Sequence, residues 1–213
     1  EISLLVMIVK EVCVDNIYDA ISAFKKGADR LELCSNLEHD GLTPSYELLS
    51  QVKLKLPIPV RVMVRPHSKS FVYNNEELNQ MKKTINYCKK MNFDGVVFGC
   101  LNEKLELDLQ KIEVLSILAK PLKVIIHKAI DLTNSPLKSL KNLIETNLVD
   151  GVLTSGGSKT ALNGIEVLKK MMDLIPKNFE LISAGKITDQ NFSLIHKNIN
   201  GRFYHGKKIV GEL

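Results

Sequence analysis

The sequence predicts a closed (β/α)8 barrel of the TIM type, and three observations lead there. Short runs rich in Val, Ile and Leu recur along the chain, nearly continuous in apolarity, as parallel strands covered on both faces must be. Eight such runs alternate with seven or eight helical patterns. The turn after the first run, CVDNIYD (Cys13 to Asp19), has no glycine, and no GxGxxG occurs anywhere. That disfavours the main alternative, an open doubly wound sheet. A length of 213 residues fits a single domain over 1–213.

Taken in order, strand one is expected over Ile8–Val14, with Asp15 as N-cap of a helix that ends at Gly27, a good residue for a left-handed helix stop. Strand two is Asp29–Ser35. The loop Asn36–Pro44 leads to a helix over Ser45–Lys55, closed by Pro57 and Pro59. Strand three, Val60–Arg65, is stopped by Pro66, helix three is Asn75–Met91, and strand four is Gly95–Gly99. Helix four is Asp108–Ala119, strand five Leu122–His127, and helix five Pro136–Asn147 with proline in its first turn. Strand six is Gly151–Ser155, helix six Thr160–Ile175, and strand seven Phe179–Ala184. Helix seven, Thr188–Lys197 with Thr188 as N-cap, precedes strand eight, Arg202–His205.

Hydrophobic residues make up 45% of the chain and charged residues 25%, the balance of a protein that buries a real core. With no Trp and 6% aromatics, that core must be aliphatic. The net charge of +5 comes from Lys scattered along helices, without a dense basic stretch interleaved with aromatics, so nucleic-acid binding is not expected. The apolar run Leu4–Val9 is too short to span a membrane and follows Glu1 rather than a basic segment, so neither a membrane span nor a secretory signal is expected. Four cysteines in a chain this long do not make a disulfide framework, and free thiols in a reducing cytoplasm follow. Cys88 and Cys100 fall in apolar patterns and read as packing residues.

Barrel chemistry belongs at the C-terminal strand ends, and the polar residues gather there. Strands one and two each carry a Glu-x-Cys, Glu11 with Cys13 and Glu32 with Cys34; residues two apart on a strand share a face. Strand three adds Arg65, on the face of Arg61 and Met63. Strand five adds His127, followed by Lys128 and Asp131. Strand six ends in Thr154, Ser155, Gly156 and Gly157, strand seven in Ser183 and Gly185, and strand eight in His205 and Gly206. Each has a structural alternative. Arg65 can serve as ion-pair partner of Glu11 or Glu32, and a histidine at a strand end can be a hydrogen-bonded core residue. Cys13 and Cys34 can be small buried hydrophobes or, as a pair on neighbouring strands, the two-sulfur set that a soft ion such as Cu(I) prefers. The late glycines can cradle a phosphate or turn crowded corners.

Together these stretches resemble the CutC family, named for copper homeostasis. The matching segments are EVCVDNIYDAISAFKKGADRLELCS, GLTPS, VMVRP, DGVVFG, HKAID, VLTSGG with ALNG, SAGKITDQN and YHGKK, in family order over about residues 10–208. The resemblance implies a TIM-type barrel, a cytoplasmic protein, a homo-oligomer and an ability to bind copper. It carries over the cluster Glu11, Cys13, Arg30, Glu32, Cys34, Arg65, His127, Asp131, Ser155 and His205. The sequence departs from the family pattern in three places. Lys128 stands where most members have Arg, HSKS follows the strand-three Arg-Pro in place of Arg-Gly-Gly, and few residues follow strand eight, so that a closing helix there is expected to be reduced. Leu4–Met7 is expected to be an extension covering the barrel bottom or packing on a neighbour.

Two functions follow. One is copper binding, with Cys13 and Cys34 as thiolate ligands and His127 or His205 as additions. The other is a lyase or isomerase without a nucleotide cofactor, acting on a small anionic or phosphorylated metabolite. There Glu11 or Glu32 would be the base, His127 the acid and Asp131 a third acid–base group; Arg30, Arg65 and Lys128 with Ser155, Gly156, Gly185, Gly206 and His205 would hold the anion. A non-catalytic scaffold with a sealed barrel is a third possibility.

Overall fold

The computed structural model describes residues 7–213, and its eight parallel strands close into a barrel in sequence order, with the last strand paired to the first. The strands are β1 (Val9–Val14), β2 (Arg30–Leu33), β3 (Val60–Met63), β4 (Gly95–Phe98), β5 (Lys123–Ile126), β6 (Gly151–Thr154), β7 (Glu180–Ser183) and β8 (Phe203–His205). The helices are α1 (Ile17–Lys25), α2 (Tyr46–Lys55), α3 (Asn75–Lys90), α4 (Leu109–Ala119), α5 (Pro136–Thr146), α6 (Ile165–Leu174) and α7 (Asp189–Ile199). Strands are one to three residues shorter than the apolar runs, because the ladder stops where the chain turns toward a helix while the run continues into the corner.

Period-two alternation explains how so apolar a chain sorts its side chains. Val12, Val14, Leu31, Leu33, Val62, Val96, Phe98 and Leu181 face outward into one large cluster with the helices. Met63, Val97, Ile125, Leu153 and Ile182 face inward and fill the middle of the barrel with Cys34 and Ala184. Burying each such side chain stabilises the fold by about 1.5–3 kcal/mol, so both layers contribute. The inward positions at the two barrel ends are left for polar residues.

Most helix signals work as expected. Ser45, Asp108 and Ser135 cap α2, α4 and α5 by accepting a backbone N–H. Asn74 and Thr188 form reciprocal capping boxes with Glu77 and Asn191. Gly27 follows α1 at φ +86°. Two starts differ. Asn16, not Asp15, caps α1; the Asp15 carboxylate instead accepts the Leu37 N–H at 3.2 Å. Helix α6 begins at Ile165 rather than Thr160, because the intervening turn is held to the next corner by the Ala161 N–H bonded to the Gly185 carbonyl. Two 3₁₀ turns, Leu37–His39 and Lys128–Leu132, are too short for the helical period to reveal.

The HSKS loop needs no glycine, since none of residues 66–73 takes a positive φ. Residues 206–213 form turns with isolated bridges, Thr188 with Lys208 and Ile209 with Gly211, and contain no helix. The extension expected at Leu4–Met7 lies outside the described residues except for Met7, which is exposed. No helix among the described residues is long and apolar enough to cross a membrane.

Candidate functional site

The N-terminal end of the barrel is closed by a charge network. Arg61, 1% exposed, lies on β3 and makes a two-pronged bond to Glu180 at the start of β7 (3.0 and 2.9 Å), while its Nε reaches Asp94 at 3.2 Å. Arg30 at the start of β2 bonds Glu11 through Nε and reaches Glu180 at 3.2 Å. Glu11 is the link upward: one oxygen takes Arg30, and Oε1 takes His205 Nδ1 at 2.8 Å. Register explains the meeting, since Glu11 stands opposite Arg30 on β2 and His205 on β8. Burial alone would raise the Glu11 carboxyl; Arg30, the His205 hydrogen bond and charge, and Arg61 outweigh it and hold Glu11 well below the usual carboxylate range.

Above Glu11 the chemistry turns to acid–base and sulfur groups. Burial would lower His205, but Glu32, Cys13 and Glu11 outweigh it and raise it well above the usual histidine value, so the ring is an imidazolium at neutral pH. His205 Nε2 lies 3.8 Å from Glu32, and Cys13 stands opposite Glu32 in the β1–β2 pairing. Glu32 is raised, by burial first and then by Glu11 against the pull of His205; its Oε1 has no partner and its Oε2 accepts the Cys34 thiol at 3.4 Å. Burial, then Glu32 and Cys13, push the Cys34 thiol well up. Ligand atoms of Glu11, Glu32 and His205 lie within 4.8 Å of one another. Among the described residues this is the one such three-residue group, and both predicted thiols border it through Glu32 and His205. Cys13 is partly exposed, whereas Cys34 is fully buried.

Arg65 does not pair with Glu11 or Glu32. Its guanidinium donates to the carbonyls of His39 (3.0 Å), Asp40 (3.2 Å) and Gly41 (3.0 Å) and lies over the Phe71 ring. Its backbone N–H donates to Thr43 Oγ1, and Thr43 N–H returns to its carbonyl. Arg65 thus pins the β2–α2 loop over Cys34, where Gly41 packs closely on the sulfur. The charge partners of Glu11 are Arg30 and Arg61. The sequence had Arg61 on the right face, but a strand's N-terminal half gave no reason to single it out. Glu180 and Asp94 were missed altogether: the Glu180 link to Arg61 crosses the barrel from β7, and Asp94 stands just before β4, outside the strand-end positions where polar residues were sought.

The remaining expected residues divide. His127, whose ring packs beside Gly99, is buried and lowered to about 3 by desolvation and then by Arg65, so at neutral pH it is uncharged. Its Nδ1 accepts the Ala129 N–H at 3.2 Å, which leaves the proton on an unpartnered Nε2. Asp131 is engaged at the next corner: its two oxygens accept from Thr154, the Ser155 N–H and hydroxyl, and the Gly157 N–H. It ties the 3₁₀ turn to the end of β6, with Ser155 and Gly156 as parts of that tie. Ser183 faces outward, in the parity of Leu181. Lys128 is half-buried in the 3₁₀ turn, and its side chain has no hydrogen bond or ion pair among the described residues. Gly185 and Gly206 turn crowded corners: a β-carbon on Gly206 would stand 2.1 Å from the Ile187 carbonyl oxygen, and one on Gly185 2.9 Å from Ala161 N. Cys88 and Cys100 are buried packing residues whose thiols desolvation pushes up to about 12. Of the expected acid–base and anion-holding groups, Glu32 keeps a carboxylate oxygen without a partner among the described residues, whereas Glu11, Asp131 and Arg65 are already engaged with the groups named above.

The fold and site define a TIM-type barrel whose C-terminal end holds buried carboxylates, an imidazolium and two free thiols. Residues 8–210 match the CutC family, and the chain belongs to it. It is 36% identical over 195 residues to a human protein named copper homeostasis protein cutC homolog, covering 92% of this chain and 71% of that one. A CutC family protein of Pasteurella multocida is 34% identical, with 95% and 88% covered. The crystal structure of CutC from Streptococcus agalactiae superposes with a TM-score of 0.89 at 29% identity, covering 95% of this chain and all of that one.

Proposed function

We propose that this protein acts in copper homeostasis by binding Cu(I) as cargo through the thiols of Cys13 and Cys34, with Nε2 of His205 as a third donor. The observation that carries the proposal is the gathering of both thiols and His205 around Glu32. Two sulfurs and an imidazole are a soft donor set that suits Cu(I). The Glu11 carboxylate on Nδ1 fixes the ring with Nε2 toward Glu32, whose Oε2 accepts the Cys34 thiol, the outer-shell arrangement that orients metal-binding histidines. Glu32 Oε1, buried and without a partner, is a spare acceptor beside them. Ligation displaces the Cys34 proton and the Nε2 proton of His205. A reducing cytoplasm would keep the four free cysteines in this state.

Anaerobic competition against a chromophoric Cu(I) chelator tests the proposal with the wild type, Cys13→Ser, Cys34→Ser and the double variant. One tightly held ion, lost by more than about a hundredfold in either single variant, is expected, since losing a direct ligand costs more than losing an outer-shell partner. Equal, weak affinity in the wild type and the double variant rejects it.

A further inference from the structure

Each helix of the barrel runs back against the strands, so its last turn lies at the N-terminal floor, opposite the proposed copper site. Three neighbouring helices load that floor with lysine. α1 ends in Lys25 with Lys26 beyond it, α2 in Lys53 and Lys55, and α3 in Lys89 and Lys90. All are exposed except Lys89, which is half-buried. α1 packs on α2, and Lys53 reaches from α2 to the Asn92 carbonyl just past α3 at 2.5 Å, so the three ends form one surface. None of these lysines pairs with an acid among the described residues. Two acids stand in the adjoining loops and both are occupied: Asp29 accepts the Lys10 N–H at 2.8 Å, and Asp94 accepts from Arg61. Lysine at a helix end complements the helix dipole, but that does not explain why the charge is one-sided. α5 and α6 have no basic residue in their last turns and expose Glu145 and Asp173 there instead. Between Lys53 and Lys55 stands Leu54, 82% exposed, more than any other large hydrophobic residue among the described ones. Phe24, beside Lys25, is also exposed.

We propose that this side of the barrel floor docks on an anionic lipid bilayer, with the lysines against the headgroups and Leu54 entering the layer beneath them. Such a bilayer offers a dense negative surface directly over an apolar region, the complement of lysines set around an exposed aliphatic side chain. A nucleic acid fits the surface less well. It is held by aromatic faces that stack on bases and by arginine forks on phosphate, whereas the cations here are all lysine and the apolar group among them is a leucine. A second copy of the same face is opposed by like charge. Docked in this way, the barrel end that carries Glu32 and His205 faces away from the lipid. The floor shares no residue with the proposed copper site, so either proposal can fail alone.

The test is sedimentation of the full chain with vesicles of phosphatidylcholine alone and of phosphatidylcholine with about one-third phosphatidylserine, at about 0.1 M salt. Binding is expected to the anionic vesicles only, and it should fall away at about 1 M salt. Lys55→Gln and Lys90→Gln should each weaken it about fivefold, and Leu54→Asn about tenfold or more. All three side chains are exposed, so the variants keep the fold. Lys138→Gln, exposed at the start of α5 and therefore at the other end of the barrel, should bind as the wild type does. The proposal is overturned if neither vesicle is bound, if both are bound equally, if Leu54→Asn or the lysine variants bind as well as wild type, or if a short DNA or RNA duplex is bound more tightly than the anionic vesicles.

Discussion

Replacing Glu11 with Gln isolates the role of the residue that joins the charged barrel floor to His205. The change keeps shape and volume, so no cavity forms. It removes the charge that Arg30 and His205 share, at a site 1% exposed. The amide oxygen can serve only one of the two partners, and its NH2 must then face a donor, either Arg30 or the Nδ1–H of His205. Hydrogen bonds to charged groups contribute about 1.5–3 kcal/mol each, and breaking a buried pair costs about 3–5 kcal/mol. Because Arg30 keeps Glu180 at 3.2 Å, the expected loss is at the lower end, about 3 kcal/mol. In a domain of this size that lowers Tm by about 6–12 °C. The pH dependence follows from the depressed Glu11 carboxyl: its contribution is present above the unfolded carboxylate value of about 4.3 and is lost as pH falls toward the lower folded value. Urea melts of both proteins at about pH 5.5, where His205 is protonated folded or unfolded, and at pH 3 measure this directly. A gap under about 1 kcal/mol at pH 5.5, or one that does not narrow in acid, refutes the reasoning.

Three further outcomes are expected. Cu(I) affinity should rise with pH, about tenfold per unit for each proton displaced, because the Cys34 thiol and His205 are both raised and must deprotonate to ligate; chelator competition at several pH values reads the slope, and a flat profile contradicts it. Arg65→Met should free the loop over Cys34 and speed alkylation of that thiol by roughly tenfold or more, as expected from losing a charged donor to three carbonyls; mass-resolved labelling of Cys34 checks this, with unchanged rates counting against the latch. Gly41→Ala and Gly27→Ala each place a β-carbon at positive φ, costing about 1–2 kcal/mol. Only Gly41 adds a close contact, 3.1 Å from the Cys34 sulfur, so it should melt lower than Gly27→Ala, and equal Tm values would show that the loop yields freely.

The order of strands and helices, the aliphatic core, the Thr188 cap and the family were all legible in the sequence, because each rests on local periodicity, on a capping residue beside its helix, or on ordered motifs. The Glu-x-Cys strands were legible too, since parity along a strand puts both side chains on one face. What each polar residue does was settled only by closure of the barrel. Arg65 and His127 carried the expected residue types, yet one latches a loop and the other is kept neutral by burial. Asp131 looked like an acid–base group and is consumed by four donors from the neighbouring corner. Glu11 meets His205 across 194 positions and Arg61 meets Glu180 across 119, through pairing of β1 with β8 and through the barrel interior. Hydrogen bonds and pKa shifts depend on separations of a few ångströms between groups far apart in the chain, and no local pattern encodes those separations. The sequence by itself determined which groups are available at the barrel ends; the tertiary structure decided which of them are already satisfied and which remain free for a ligand.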